Sequence, residues 1–106
     1  GLTNGTDTIL LARGMSQRER RVALTHELVH HYQRHTAHQP PAVERRVEIA
    51  TARLLLPDLD AVAVALAACP SMDAAAEELW VTRRTLADRL GALTEAERAH
   101  IVAKLA

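Results

Sequence analysis

The prolines at Pro40-Pro41, Pro57 and Pro70 constrain this chain more than any other feature, because proline breaks a helix interior yet is accepted in a helix's first turn. The segments they separate carry helix-start chemistry. Ser16 and Glu19 form an S-x-x-E capping box, which predicts a helix from near Gln17 to about His35. Pro40-Pro41 ends the polar stretch His35 to Gln39 and opens a second helix over about 42–56, which Pro57 terminates. Asp58 begins a third, reaching Cys69. After Pro70-Ser71, three short helices are predicted over 72–80, 83–90 and 95–105, the last with its own capping box in Thr94 and Glu97. Only Thr8 to Ala12, between the turn residues Asn4 to Asp7 and Arg13-Gly14, reads as a strand.

Composition agrees with this reading. With no Phe, one Trp and one Tyr among 106 residues, the core has to be built from Leu, Val, Ile and Ala, which helices pack well. The expected class is mainly α, an α+β fold whose β part is a small N-terminal element. Residues 1–57 and 58–106 are expected to form two parts of one compact domain, since this length does not support two cores. Residues 1–56 hold eight basic against five acidic side chains and residues 57–106 five against eight, so the halves carry +3 and −3. That balance offers no basic stripe for general nucleic-acid binding.

Cys69 is the single cysteine and reads as a buried thiol, which fits a reducing, cytoplasmic setting. The longest uncharged apolar run, Ala61 to Cys69, is about half of the roughly 20 residues that cross a bilayer, so no membrane association is expected. A chain starting at Gly1 without Met is expected to be processed or trimmed.

His26-Glu27-Leu28-Val29-His30 lies inside the first predicted helix. At 3.6 residues per turn, His26 and His30 share one face and can reach one metal ion. Glu27 sits one residue around, placed to act as a general base on water without filling a ligand position. Val22, Ala23, Leu28 and Val29 supply a core-facing stripe beside the histidines. One Zn²⁺ per chain needs a third protein ligand, and a carboxylate is a usual choice. The next helix offers Glu44 and Glu48, four residues apart on one face. One of them could bind the metal while the other accepts the outer N–H of a ligating histidine. A third histidine of metzincin type is not available, because Thr36 stands six residues after His30. His31 and His35 are also one turn apart, but no acidic third ligand accompanies them.

Leu24-Thr25-His26-Glu27-Leu28-Val29-His30, followed by Glu44-Arg-Arg-Val-Glu48 and by Leu54-Leu55-Leu56-Pro57, resembles the ImmA/IrrE family of zinc metallopeptidases. Those gluzincins pair a helical HELxH with a downstream E-x-x-x-N and a small-residue helix ending in Leu-Leu-Met-Pro, and compact actinobacterial and phage members share this Ala- and Arg-rich composition. The likeness covers residues 8 to 57 and extends more loosely beyond. Aligned on the Leu-Leu-x-Pro end, the family's ligand glutamate falls on Glu44 and its Asn on Glu48, an acid that keeps Glu48 as an alternative ligand. The resemblance implies a minimal zincin-like core over 1–57 and a peptidase aimed at a regulator, typically a DNA-bound repressor. In such an enzyme zinc polarises the scissile carbonyl and acidifies water while Glu27 moves the proton to the leaving amine. Tyr32, His31, His35, His38 and His100 are chemically able to support the oxyanion, but read more simply as solvated groups.

A different class of function competes for the C-terminal third. Residues 75–90 read as a helix-turn-helix-like pair whose second helix carries Arg83, Arg84 and Arg89, which in a DNA reader would meet phosphates or guanine edges. Against this, the surrounding segment, residues 57–106, is net acidic, Asp88 sits among the arginines, and Leu79, Val81, Leu86 and Leu90 are what any packed helix pair requires; Trp80 reads as core. The alternative function is thus a DNA-binding or partner-binding module with an inactive or structural zinc site.

Overall fold

The computed structural model describes residues 16–33 and 40–105, which contain six helices and no strand. These are α1 (Gln17–Tyr32), α2 (Pro41–Leu55), α3 (Leu59–Ala68), α4 (Met72–Glu78), α5 (Arg83–Gly91) and α6 (Glu95–Leu105). The architecture is mainly α, and the strand expected over 8–12 lies outside the described residues.

The helix starts follow their sequence chemistry closely. At α1, Ser16 Oγ accepts the Glu19 N–H at 3.1 Å while Glu19 accepts the Ser16 N–H at 2.8 Å, so two otherwise unsatisfied donors are met reciprocally. Thr94 and Glu97 repeat the arrangement at α6. Asp58 caps α3 through the Asp60 and Ala61 N–H groups, and Ser71 and Thr82 cap α4 and α5. Pro41 opens α2, where its missing N–H costs nothing.

Successive packing joins α1 to α2, α2 to α5, α5 to α4, α4 to α3 and α3 to α6. The main core lies among α3 to α6 and is aliphatic, centred on Val62, Val81 and Leu86, all with 0% exposure. Burying one such side chain contributes about 1.5–3 kcal/mol. Leu55 and Leu56 at the end of α2 and Val22 of α1 reach into the same cluster, so side chains on both sides of Pro57 share it. Cys69 is partly buried against this core.

Three expectations about burial are corrected. Leu28 is 65% exposed, so α1 turns Val22 and Val29 inward while Leu24, Leu28 and Tyr32 form an outward edge. Trp80 is half-exposed, because α4 ends at Glu78 and the chain reverses through it with φ of 61°. Val81 N–H bonds the Ala76 carbonyl and Trp80 N–H the Glu77 carbonyl, a Schellman closure that places Trp80 where glycine is usual. Arg89 is 3% exposed: its Nε donates to the Leu56 carbonyl at 2.8 Å, and its Nη2 lies 3.5 Å from Glu97. Among the described residues no helix is long and apolar enough to cross a membrane.

Candidate metal centre

The crossing of α1 over α2 brings His26, His30 and Glu44 together. Both histidines project from one face of α1, with ring centroids 4.9 Å apart and planes tilted by 59°. Glu44 lies in the first turn of α2, where the helix start favours a carboxylate. Its Oε1 is 3.0 Å from His30 Nε2 and 3.5 Å from His26 Nε2. One ligand atom from each of the three residues falls within 4.8 Å of the others. Ligands of a tetrahedral zinc, each about 2.0–2.1 Å from the ion, stand about 3.3 Å apart, so the donor types suit that metal and the two separations from Glu44, 3.0 and 3.5 Å, bracket that spacing. The side chains are 28%, 16% and 29% exposed, which leaves the cluster open to solvent on one side.

Desolvation pushes the Glu44 carboxyl up, whereas the His30 hydrogen bond, the charges of His30 and His26 and the His26 hydrogen bond push it down; the net effect is a pKa below the ordinary range. The anionic form is thus the one this pocket favours, and a carboxylate is also the form that binds a metal. Glu27, next to His26 on α1, is exposed.

Glu48, one turn along α2, is held differently. It accepts from Arg45 Nη1 at 3.1 Å and from Arg84 Nη2 at 3.2 and 3.3 Å, so its partners here are arginines of α2 and α5. Arg45 also bonds the buried Asp88. Between the centre and this network lies a cleft of about 140 Å³ that His26 and Glu48 both line.

The remaining candidates separate. His31 and Tyr32 are exposed at the end of α1, whereas His35 and His38 lie outside the described residues. His100 on α6 is bonded to Asp60 on α3. Arg83 pairs with Asp73 at 3.6 Å and Arg84 with Glu48, so both surface cations of α5 already face acids, and buried Arg89 is not presented to a phosphate.

Sequence reasoning missed two sets of contacts. Arg18 Nη1 donates to the Val81 carbonyl at 2.6 Å, and Arg21 bonds the Trp80 carbonyl while lying 6.0 Å from the Trp80 ring centroid; together they tie α1 to the α4–α5 turn. The Arg45–Asp88 pair was the other. Its only local signal is Asp88 itself, an acid inside an otherwise basic helix. No family model, no curated protein and no solved structure matches the chain.

Proposed function

We propose that this chain is a zinc-dependent metallo-endopeptidase that hydrolyses peptide bonds of a regulatory, repressor-like protein in the cytoplasm. The observation that carries the reading is the convergence of His26, His30 and Glu44 from two helices, with Glu27 adjacent in sequence and exposed. His26 and His30 would bind through Nε2 and Glu44 through a carboxylate oxygen. A zinc ion held there would supply Lewis acidity toward a scissile carbonyl and a nucleophilic water near neutral pH. Glu27 then takes the proton from the attacking water and passes it to the leaving amine. The repressor-like target rests on the resemblance of the 26–30 and 44–57 segments to the ImmA/IrrE peptidases.

Metal analysis and a proteolysis assay on candidate regulators test the proposal. The purified chain should hold close to one zinc and lose it on His26→Ala, and Glu44→Ala should weaken zinc binding far more than Glu48→Ala. Glu27→Gln should retain the metal and abolish cleavage. A chain without affinity for zinc sinks the reading. Undiminished cutting by the Gln variant removes Glu27 from its role, and zinc without cleavage of any regulator turns the site into a structural one within a binding module.

A further inference from the structure

The cleft beside the metal cluster has a chemistry of its own. His26 and Val22 of α1, Glu48 and Thr51 of α2 and Arg84 and Asp88 of α5 bound a space of about 140 Å³, far above the roughly 10–15 Å³ that one water needs. It therefore starts at a candidate metal ligand and ends at a group of four charges. Glu48 and Asp88 converge there on two guanidinium groups that are not equivalent. Arg45 bonds both carboxylates from the same helix as Glu48. Arg84 reaches across from α5 to both oxygens of Glu48, with its Nε 3.7 Å from Asp88, yet its side chain is 71% exposed.

An exposed ion pair of that kind adds little stability, so Arg84 can leave at small cost. The Asp88 side chain, only 9% exposed, keeps its bond to Arg45 when Arg84 leaves, while Glu48 loses the partner that reaches it from α5 and is open to another cation. The position Arg84 holds is therefore one a different guanidinium or ammonium group can take over. Val22 lines the cleft and offers apolar surface for an aliphatic stem, as long basic side chains require.

We infer that the cleft beside His26 receives an arginine or lysine side chain of the polypeptide presented to the metal cluster, held by Glu48 and Asp88, with Arg84 as the resident group it displaces. The description of that polypeptide as a substrate rests on the peptidase reading; the preference for a basic side chain rests on the cleft alone.

Binding of Nα-acetyl-arginine amide to the full chain, with and without zinc, followed by NMR shifts of Val22, Thr51 and Thr85, separates the two. The neutral isostere Nα-acetyl-citrulline amide should bind at least about tenfold more weakly, because it lacks the charge that strengthens the hydrogen bonds. Arg84→Ala should tighten binding of the arginine probe by about two- to fivefold, the gain from removing an exposed competitor, and Glu48→Gln should weaken it. Circular dichroism of each variant checks that it is folded. Equal binding of citrulline, preference for Nα-acetyl-glutamate amide, or weaker arginine binding in Arg84→Ala each overturn the inference. Zinc binding without any arginine-amide binding overturns the cleft assignment and spares the peptidase reading. Arginine-amide binding by a chain with no zinc affinity does the reverse.

Discussion

Helix α1 and the bundle α3 to α6 hold themselves in place by different means. The sixteen residues of α1 bury only Val29, while the nine of α5 bury Thr85, Leu86, Asp88 and Arg89. What fastens α1 is largely polar: two arginines on the carbonyls of Trp80 and Val81, and His30 on Glu44. The bundle rests on aliphatic packing, worth far more per residue than part-exposed hydrogen bonds, whose net contribution is about 0.5–1.5 kcal/mol each. The helix that carries His26, Glu27 and His30 is thus the more weakly anchored part of the molecule. A ligand bridging α1 and α2 would have more to add there than in the bundle.

The largest test of this contrast is a pair of truncations. Leu86→Ala, at a fully buried site, should cost about 2–5 kcal/mol and lower the urea midpoint at unchanged slope. Leu28→Ala, at a 65% exposed site on α1, should change stability by less than about 0.5 kcal/mol. Comparable losses would mean that the outward edge of α1 is packed against something and that the contrast is false. Next in size is zinc. If the proposed site binds it, zinc at a free concentration of 100 times its dissociation constant should add about 2.7 kcal/mol to any opening that breaks the site. Amide hydrogen exchange should slow most in α1 and α2 and least in α6. Equal slowing everywhere would show that α1 opens only when the whole bundle does.

The same contrast decided what could be read in the sequence. Prolines and caps act within a few residues, so Ser16–Glu19, Thr94–Glu97, Asp58 and Pro57 marked the helix boundaries. The spacing of His26 and His30 is likewise local, whereas the residues alone left Glu44 and Glu48 open as third ligand and the family resemblance favoured Glu44. Residue contacts between distant segments were not legible. Nothing near Arg45 announces Asp88, forty-three positions away, and nothing near Arg18 announces the carbonyl of Val81. Burial misled where α1 has few neighbours: Leu28 fits an apolar stripe in sequence but finds no core to enter. Trp80 misled because its position is set by a helix ending that ordinarily calls for glycine.

That ending yields the third prediction. A bulky residue at positive φ costs about 1–2 kcal/mol relative to glycine. The stacking of Arg21 on the exposed ring returns about 0.5–1 kcal/mol. Trp80→Gly should therefore raise stability slightly, by about 0.5 to 1 kcal/mol, while keeping the bond from Arg21 to the residue-80 carbonyl. If stability falls instead, the Trp80 ring contributes more to anchoring α1 than its exposure suggests, and the polar account of that helix needs an apolar term.

The smallest effect is a matched pair of acid titrations, one in each region. In α1, the bond from the Ser16 backbone N–H is the main cause holding Glu19 below the usual carboxylate range, followed by the Ser16 hydroxyl, with Arg18 helping and desolvation opposing. In α6, the Thr94 backbone N–H does the same for Glu97 against desolvation, with Arg89 and Arg53 adding to it. A carboxyl whose folded pKa is depressed contributes stability above its unfolded value, about 4.3 for Glu, and loses it as pH falls through the folded value. Glu19→Gln and Glu97→Gln keep a capping acceptor and remove the charge. Each should be less stable than the parent at pH 6 and indistinguishable from it near the acid end of the transition. If α1 opens on its own, Glu19→Gln should register mainly in exchange of α1 amides, and Glu97→Gln in unfolding of the whole bundle. The two variants moving the same global transition to the same extent would show that the capping charge of α1 is coupled to the core after all, and that the weak anchoring inferred from its burial does not make it a separate unit.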